Sequence, residues 1–180
     1  MVIAGLRYIR AAALGLALRP ETDADRPFMA ALYASTRTAE LAGVPWPPED
    51  KTQFLDMQFQ AQHAHFRRYY PQGEWHVVTH AGQDIGRLYL ERWPSQHRII
   101  DIAFLPVHCG KGFGTALLGD VIDEAAAVGK PVSIHVEKNN PARRLYLRLG
   151  FVVAEDKGVY DLMAGPVAAS AEAGQLKTAS

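Results

Sequence analysis

The sequence has little cysteine, no excess charge of either sign and no long apolar run. Its single cysteine, Cys109, excludes an internal disulfide and a cysteine-rich zinc site. The 19 Lys and Arg residues balance 19 Asp and Glu residues, so the chain lacks the positive excess with which nucleic-acid binders displace phosphate counterions. No uncharged stretch approaches the ~20 apolar residues of a transmembrane helix. We therefore expect a cytoplasmic protein with no nucleic-acid partner and no membrane partner.

The remaining composition is that of one ordinary globular domain. Of the 180 residues, 48% are hydrophobic and 21% are charged, and this length is enough to bury a single core. The apolar run from Ala11 to Leu18 lacks the cleavage site of a secretory signal, so residues 1–14 are expected to be a flexible leader and not an export signal. Residues 164–180 are rich in Ala, Gly and Ser and are expected to be a disordered tail. The folded domain is therefore predicted over residues 15–163.

Hydrophobic periodicity and the positions of Pro and Gly predict alternating strands and helices. This order predicts a mixed α/β (α+β) single domain, with a central sheet of about six to seven strands flanked by about four helices. The predicted strands cover residues 16–19, 75–79, 85–91, 98–105, 132–137, 151–154 and 159–163, and the predicted helices cover residues 22–35, 49–70, 115–128 and 141–149.

Three glycines lie at alternate positions between a predicted strand and an amphipathic helix: Gly110, Gly112 and Gly114. Glycine lets the backbone approach a ligand closely, and a helix start offers unpaired N–H groups and the positive end of a dipole. Together these features predict an anion cradle suited to phosphate. The spacing matches neither a Walker loop nor a dinucleotide fingerprint. The alternative interpretation is a plain tight turn from strand to helix.

A second motif follows about two dozen residues later and reads NNPARRLYLRLGF over residues 139–151. Together with CGKGFGTALL over residues 109–118, it resembles the GCN5-related N-acetyltransferase (GNAT) superfamily. The resemblance is close over residues 99–151, and the order of elements fits that fold over most of residues 15–163. It implies an enzyme that moves an acetyl group from acetyl-CoA directly to a primary amine of a small molecule or peptide. No metal is expected, and a homodimer is a possible assembly.

The resemblance also implies which residues hold acetyl-CoA. The loop matching Cys109–Gly114 binds the pyrophosphate through backbone N–H groups, and the strand matching Asp101–Leu105 pairs with the pantetheine arm. Cys109 stands where the family usually has Arg or Gln, so one side-chain contact is missing, and Lys111 can partly restore the charge. The asparagine that Asn139 matches contacts the cofactor arm, and Asn140 is the alternative residue for this contact. The expected cofactor residues are Phe104, Leu105, Cys109, Gly110, Lys111, Gly112, Phe113, Gly114, Thr115, Asn139, Asn140, Ala142 and Tyr146.

Acylation of an amine by a thioester needs a neutral amine and a protonated leaving sulfur. The resemblance assigns the acid role to Tyr146, and a tyrosine, with a reference pKa of ~10, stays protonated beforehand. The alternative for Tyr146 is a packed aromatic residue. Asp101 interrupts an apolar strand and is the first candidate for the base, because a carboxylate there needs partners or water. Glu137, at the end of the facing strand, is the second, and a chain of water molecules is the third.

The acceptor pocket is expected to come from the helices before the first hairpin. Residues 46–70 are rich in aromatic residues and histidines, although most of them are predicted to form the core face of a long helix. His63 and His65 lie ~200° apart on a helix and cannot share a metal. A second hypothesis is a CoA-binding sensor or interaction module without transfer activity. Transfer of a longer acyl group also stays open.

Overall fold

A single seven-stranded sheet organises the chain in the computed structural model, which describes residues 8–166. The strand order is β1-β2-β3-β4-β5-β7-β6. Only β4 and β5 pair in parallel, and every other neighbouring pair is antiparallel. The prediction of a mixed α/β domain is confirmed. The strands are β1 Leu16–Pro20, β2 Glu74–His80, β3 Gln83–Arg92, β4 His97–Phe104, β5 Val132–Glu137, β6 Val152–Lys157 and β7 Tyr160–Ala164.

Helices cover both faces of the sheet and create two apolar clusters. Three of them, α1, α4 and α5, pack on one face, where Leu117 and Tyr146 share a buried cluster with Ile99. The other two, α2 and α3, pack on the opposite face, where Phe59 shares a second cluster with Tyr89. The described helices number five rather than the four predicted. They are α1 Ile9–Ala13, α2 Arg26–Arg37, α3 Pro48–Tyr69, α4 Phe113–Ala127 and α5 Arg143–Arg148.

The additional helix, α1, falls within the expected flexible leader. Ala11 is fully buried against α4, and the carboxylate of Asp120 accepts the N–H groups of Arg10 at 3.0 Å and of Ala11 at 2.9 Å. Asp120 thereby satisfies two of the N–H groups that a helix start leaves unpaired. The expectation of a flexible segment therefore does not hold for residues 8–14. The expectation of a disordered tail likewise does not hold for residues 164–166, because Ala164 ends β7 and the Gly165 N–H donates to Val132 O at 2.7 Å. Residues 1–7 of the leader and 167–180 of the predicted tail lie outside the described residues.

The strands β4 and β5 pair over only three residues each, from His97 to Ile99 of β4. A bulge follows at once, because Tyr89 and Leu90 of β3 pair with Asp101 and Ile99 and leave Ile100 as an extra residue. Bulges bend a strand, and β5 continues instead along its other neighbour, β7. The β4 edge that faces β5 therefore has no strand partner, within the described chain, after Ile99. This opening is called the β4–β5 gap below.

Candidate active site

The loop between β4 and α4 carries backbone N–H groups that lack internal acceptors. A 3₁₀ turn over Pro106–His108 follows β4, and Gly110 and Gly112 then adopt left-handed conformations with φ of +74° and +82°. The helix begins at Phe113, two residues before the predicted start. In the described part of the chain, no N–H group from Gly110 to Thr115 donates a hydrogen bond. Free donors at the positive end of a helix are suited to bind a phosphate.

The third glycine of the loop serves packing rather than backbone conformation. Gly114 lies inside the first turn of α4, and a Cβ atom there would come within 3.2 Å of Leu145 Cδ2. The missing side chain therefore lets α5 approach the start of α4. The neighbouring Phe113 is buried, and its ring centroid lies 6.2 Å from that of Phe104 on β4. The loop, β4 and α5 are thus held together around one helix end.

Tyr146 lies on α5 and is buried, with 3% of its surface exposed. Its ring meets Phe151 edge-on at 5.6 Å, so it also packs in the core as the alternative interpretation expects. Burial and then the negative charge of Asp101 raise the pKa of the Tyr146 hydroxyl. Asp101 lies just beyond the last paired residue of β4, so the charge that acts on the Tyr146 hydroxyl is located at the β4–β5 gap. A hydroxyl with a raised pKa stays protonated at neutral pH, as a general acid must.

Asp101 is held by a buried arginine. The Arg87 Nε atom donates to Asp101 Oδ2 at 2.6 Å, and Arg87 Nη2 donates to Gln62 Oε1 of α3 at 2.8 Å. This partner explains how a carboxylate persists in an apolar strand. Pairing with Tyr89 places Asp101 on the face that α2 and α3 cover, and 26% of its side chain stays exposed. Asp101 is thus accessible from the α2–α3 side of the gap.

Glu137 is tied to α2 by an ion pair between residues 100 positions apart in sequence. Arg37 donates to its carboxylate at 2.9 Å and 3.3 Å, and the Tyr160 hydroxyl donates at 3.3 Å. The hydrogen bonds from Arg37 lower the pKa of Glu137 below its usual value. A carboxylate that binds protons weakly is a poor base. Glu137 therefore stays the second candidate for the base, and its ion pair holds α2 against the end of β5.

The two asparagines after β5 differ in their environment. Asn140 Oδ1 accepts the N–H of Ala142 at 2.9 Å and thereby closes the turn that leads into α5. Asn139 is exposed, and its side chain forms no hydrogen bond with the described residues. Within the described residues, Asn139 therefore has both polar atoms of its amide available to a ligand, whereas the oxygen of Asn140 is already used.

The side chains of Cys109 and Lys111 offer little to a phosphate besides the positive charge of Lys111. Cys109 is exposed, and its Sγ atom lies 3.6 Å from the Leu105 carbonyl oxygen, in a weak hydrogen bond. Lys111 is exposed as well. Leu105 donates its own N–H to Ile85 at 2.9 Å, so its amide is already used within the sheet.

The aromatic segment before β2 divides between core and surface. Leu55 and Phe59 are buried, as predicted for the core face of α3, whereas Tyr69 is exposed. An open groove of about 340 Å³ on the outer side of α3 contains none of the cofactor-motif residues. It is lined by Trp46, Asp50, Gln53, Phe54 and Met57.

Residues 8–166 contain neither a cluster of metal-ligating side chains nor a membrane-spanning helix. No group of three or more His, Cys, Asp or Glu side chains there could hold a metal ion. No helix in that range is long and apolar enough to cross a membrane.

Several residues around the gap were not identified from the sequence. Arg37 and Tyr160 approach Glu137 only through the fold, and no local pattern marks them. Arg87 did leave a signal, because it is a charged residue in the apolar strand from Ile85 to Leu90. Arg87 forms the ion pair with Asp101, which lies on the neighbouring strand β4.

Comparison with known proteins agrees with this geometry. A profile of the acetyltransferase (GNAT) family matches residues 29–151. No curated protein matches the sequence. Among solved structures, PaiA N-acetyltransferase from Thermoplasma acidophilum, in complex with coenzyme A, is 14% identical, with a TM-score of 0.64, and the match covers 83% of this chain and 98% of that one.

Two other solved structures are similar to a comparable extent. An acetyltransferase from Thermus thermophilus is 20% identical, with a TM-score of 0.62 and coverage of 86% of this chain and 98% of that one. The ribosomal-protein-S18-alanine N-acetyltransferase from Escherichia coli is 22% identical, with a TM-score of 0.54 and coverage of 91% and 99%. These identities support the shared fold, while the profile match, which spans more than half of the chain, shows the family. The chain therefore belongs to the GNAT family and is an acetyl-CoA-dependent N-acetyltransferase.

Proposed function

We propose that this enzyme acetylates a primary amine of a small molecule or peptide at the β4–β5 gap, with Tyr146 as the general acid. The observation that carries the proposal is the convergence of three features at one place. The unpaired N–H groups of Gly110–Thr115 follow the end of β4, the unpaired edge of β4 begins at Ile100, and the charge of Asp101 acts on the hydroxyl of the buried Tyr146.

The loop and the edge of β4 account for binding of acetyl-CoA. Backbone N–H groups from Gly110 to Thr115 would receive the pyrophosphate, with Lys111 adding positive charge and Phe113 fixing the helix start. The β4 edge up to Phe104 offers main-chain groups for the pantetheine arm, and Asn139 offers a free amide beside it. Binding both substrates in one cleft supplies orientation, which contributes up to ~7–11 kcal/mol in well-aligned reactions.

The proton transfers follow from the two groups at the gap. An alkylamine, with a pKa of ~10.4, must lose a proton before it attacks the thioester. Asp101 is the accessible carboxylate at that place, and it accepts the proton directly or through water. Tyr146, on the other side of the gap, donates its proton to the departing sulfur. The nitrogen releases its second proton to water after the attack, and Tyr146 regains a proton from water. The cytoplasmic location and the homodimer remain predictions.

Release of free thiol from acetyl-CoA, measured with a panel of primary amines, tests the proposal. We expect turnover with at least one amine, and mass spectrometry should find the acetyl group on its nitrogen. Tyr146→Phe should lower kcat by roughly ten- to a thousandfold and leave the KM for acetyl-CoA unchanged, because the hydroxyl acts only on the leaving group.

Tyr69→Phe, on the exposed surface of α3, is the matched control and should behave as the wild type. Binding of CoA without turnover on any amine would contradict the proposal and favour a sensor module. Equal rates for Tyr146→Phe and the wild type would assign Tyr146 to packing alone.

A further inference from the structure

Arg98 of β4 is a buried cation without an anionic partner. Its surface is 6% exposed, and its Nε and Nη1 atoms are buried without a hydrogen-bond partner. The guanidinium lies over the ring of Trp93, 5.2 Å from the centroid. Burial lowers the pKa of Arg98, because no neighbouring carboxylate offsets the loss of hydration. Such a group is costly unless an anion or water satisfies it.

The carboxylate nearest in the sheet does not supply that partner. Glu91 pairs with Arg98 across β3 and β4, but its Oε1 accepts the Gln72 N–H at 2.8 Å and its Oε2 accepts Trp93 Nε1–H at 2.6 Å. No other carboxylate of residues 8–166 forms an ion pair with Arg98. Both oxygens of Glu91 are thus engaged elsewhere, and the guanidinium is left with free donors.

A second unsatisfied group lies beside the arginine. Ser133 of β5 is the residue that pairs with Arg98, and its hydroxyl is also buried without a partner in the described chain. His135, two residues further along β5, is exposed at the surface. Partial burial of its ring, and then the positive charge of Arg98, lower the pKa of the imidazole. A guanidinium, a hydroxyl and an imidazole therefore lie on one face of the sheet. Arginine and hydroxyl donors are suited to a carboxylate or phosphate.

This cluster lies on the same face of the sheet as Asp101, next to the start of the β4–β5 gap. Arg98 and Asp101 pair with Glu91 and Tyr89, which are two residues apart on β3 and so face the same side. Tyr89 belongs to the cluster under α2 and α3, and Asp101 is the carboxylate assigned to the reacting end. The two-residue offset on β3 corresponds to roughly 7 Å along the strand. An acceptor lying along β4 would therefore have its amine near Asp101 and its other end near Arg98.

We propose that Arg98 and Ser133 bind an anionic group of the acceptor, so that the preferred substrates are amines that carry a carboxylate or phosphate at the far end of a short chain. This inference rests on the proposed function and names the substrate class of that site. Arg98 is a specificity-determining residue and takes no part in the chemistry.

The test compares 6-aminohexanoate with 6-aminohexanamide, two amines of equal length of which only the first is an acid. The wild type should acetylate the acid with a kcat/KM roughly ten- to a hundredfold higher, as expected for a charge-assisted hydrogen bond. Arg98→Gln should reduce the ratio of the two kcat/KM values to about one and leave the KM for acetyl-CoA unchanged. Arg98→Lys should retain part of the preference for the acid. Arg68→Gln, on the exposed surface of α3, is the control. The same comparison with aminoalkyl phosphates distinguishes a phosphate from a carboxylate.

Equal use of the acid and the amide by the wild type would overturn the inference while leaving the proposed function intact. A preference that survives in Arg98→Gln would overturn it as well. If Arg98→Gln fails to fold, calorimetry on the wild type with CoA decides: 6-acetamidohexanoate should bind more tightly than its amide, and equal affinities contradict the inference. Failure to acetylate any amine would instead contradict the proposed function.

Discussion

Leu145 of α5 lies so close to Gly114 of α4 that a Cβ atom at Gly114 would approach Leu145 Cδ2 to 3.2 Å. This contact joins the helix whose start forms the glycine loop to the helix that carries Tyr146. The position of the Tyr146 hydroxyl therefore depends on the absence of a side chain in the first turn of α4.

Gly114→Val should displace α5 and impair catalysis more than binding of acetyl-CoA. The added methyl groups overpack the contact with Leu145, and such overpacking costs about 1–3 kcal/mol of unfolding free energy. Denaturant unfolding and kcat are the measurements.

A double-mutant cycle with Leu145→Ala checks the cause. Removing the Leu145 side chain gives the valine room, so the double variant should be less destabilised than the sum of the two single variants. Strict additivity would show that the loss arises elsewhere.

Asp120 should be the main anchor of the N-terminal helix α1. Both of its carboxylate oxygens accept backbone N–H groups of α1, and the side chain is buried. Asp120→Asn puts an amide against one of these donors and should cost about 1–3 kcal/mol of unfolding free energy. The measurement is urea unfolding.

The matched control is Asp123→Asn, three residues further along α4. Asp123 pairs with Arg10 at 2.7 Å, but its side chain is 60% exposed, so the expected loss is about 0–1 kcal/mol. Equal effects of the two variants would mean that α1 is held by its charged surface and not by the buried carboxylate.

The ion pair of Glu137 with Arg37 should make stability depend on pH in the acidic range. Because the folded-state pKa of Glu137 is lowered, its contribution is present above the ordinary value of 4.5 and is lost as pH falls through the folded-state value. The unfolding free energy of the wild type should therefore fall further between about pH 6 and pH 3 than that of Glu137→Gln, by up to about 1 kcal/mol, and its Tm should fall further as well.

Thermal unfolding across that range is the measurement, with Asp56→Asn on the exposed surface of α3 as the control. A Glu137→Gln profile that parallels the wild type would show that the pair with Arg37 contributes nothing to stability.

Local patterns were sufficient to predict most elements. The strand Val132–Glu137 is found at the predicted bounds, and α3 begins and ends one residue before its prediction, because its apolar spacing and flanking prolines are local signals. Helix α1 was missed because its stability comes from Asp120, more than 100 residues away.

The glycine loop and Tyr146 could be identified because each lies in a short motif. The partners of Asp101 and Glu137 could not, since they depend on which strands become neighbours and on where α2 packs. Arg98 gave no signal either, because a charged residue at the start of a strand is normally assumed to be solvated.

Calorimetric titration of acetyl-CoA into Gly112→Asp and Gly158→Asp tests the central claim most directly, namely that the loop from Gly110 to Thr115 binds the pyrophosphate. Both glycines have nearly the same left-handed backbone, with φ of +82° and +81°, so both variants carry the same local strain. Gly158 lies in the turn between β6 and β7, in open space. We predict wild-type affinity for Gly158→Asp and no detectable binding by Gly112→Asp, whose added charge and bulk lie in the loop. Equal affinity of the two variants, or a wild type that gives no heat with acetyl-CoA, would contradict the account.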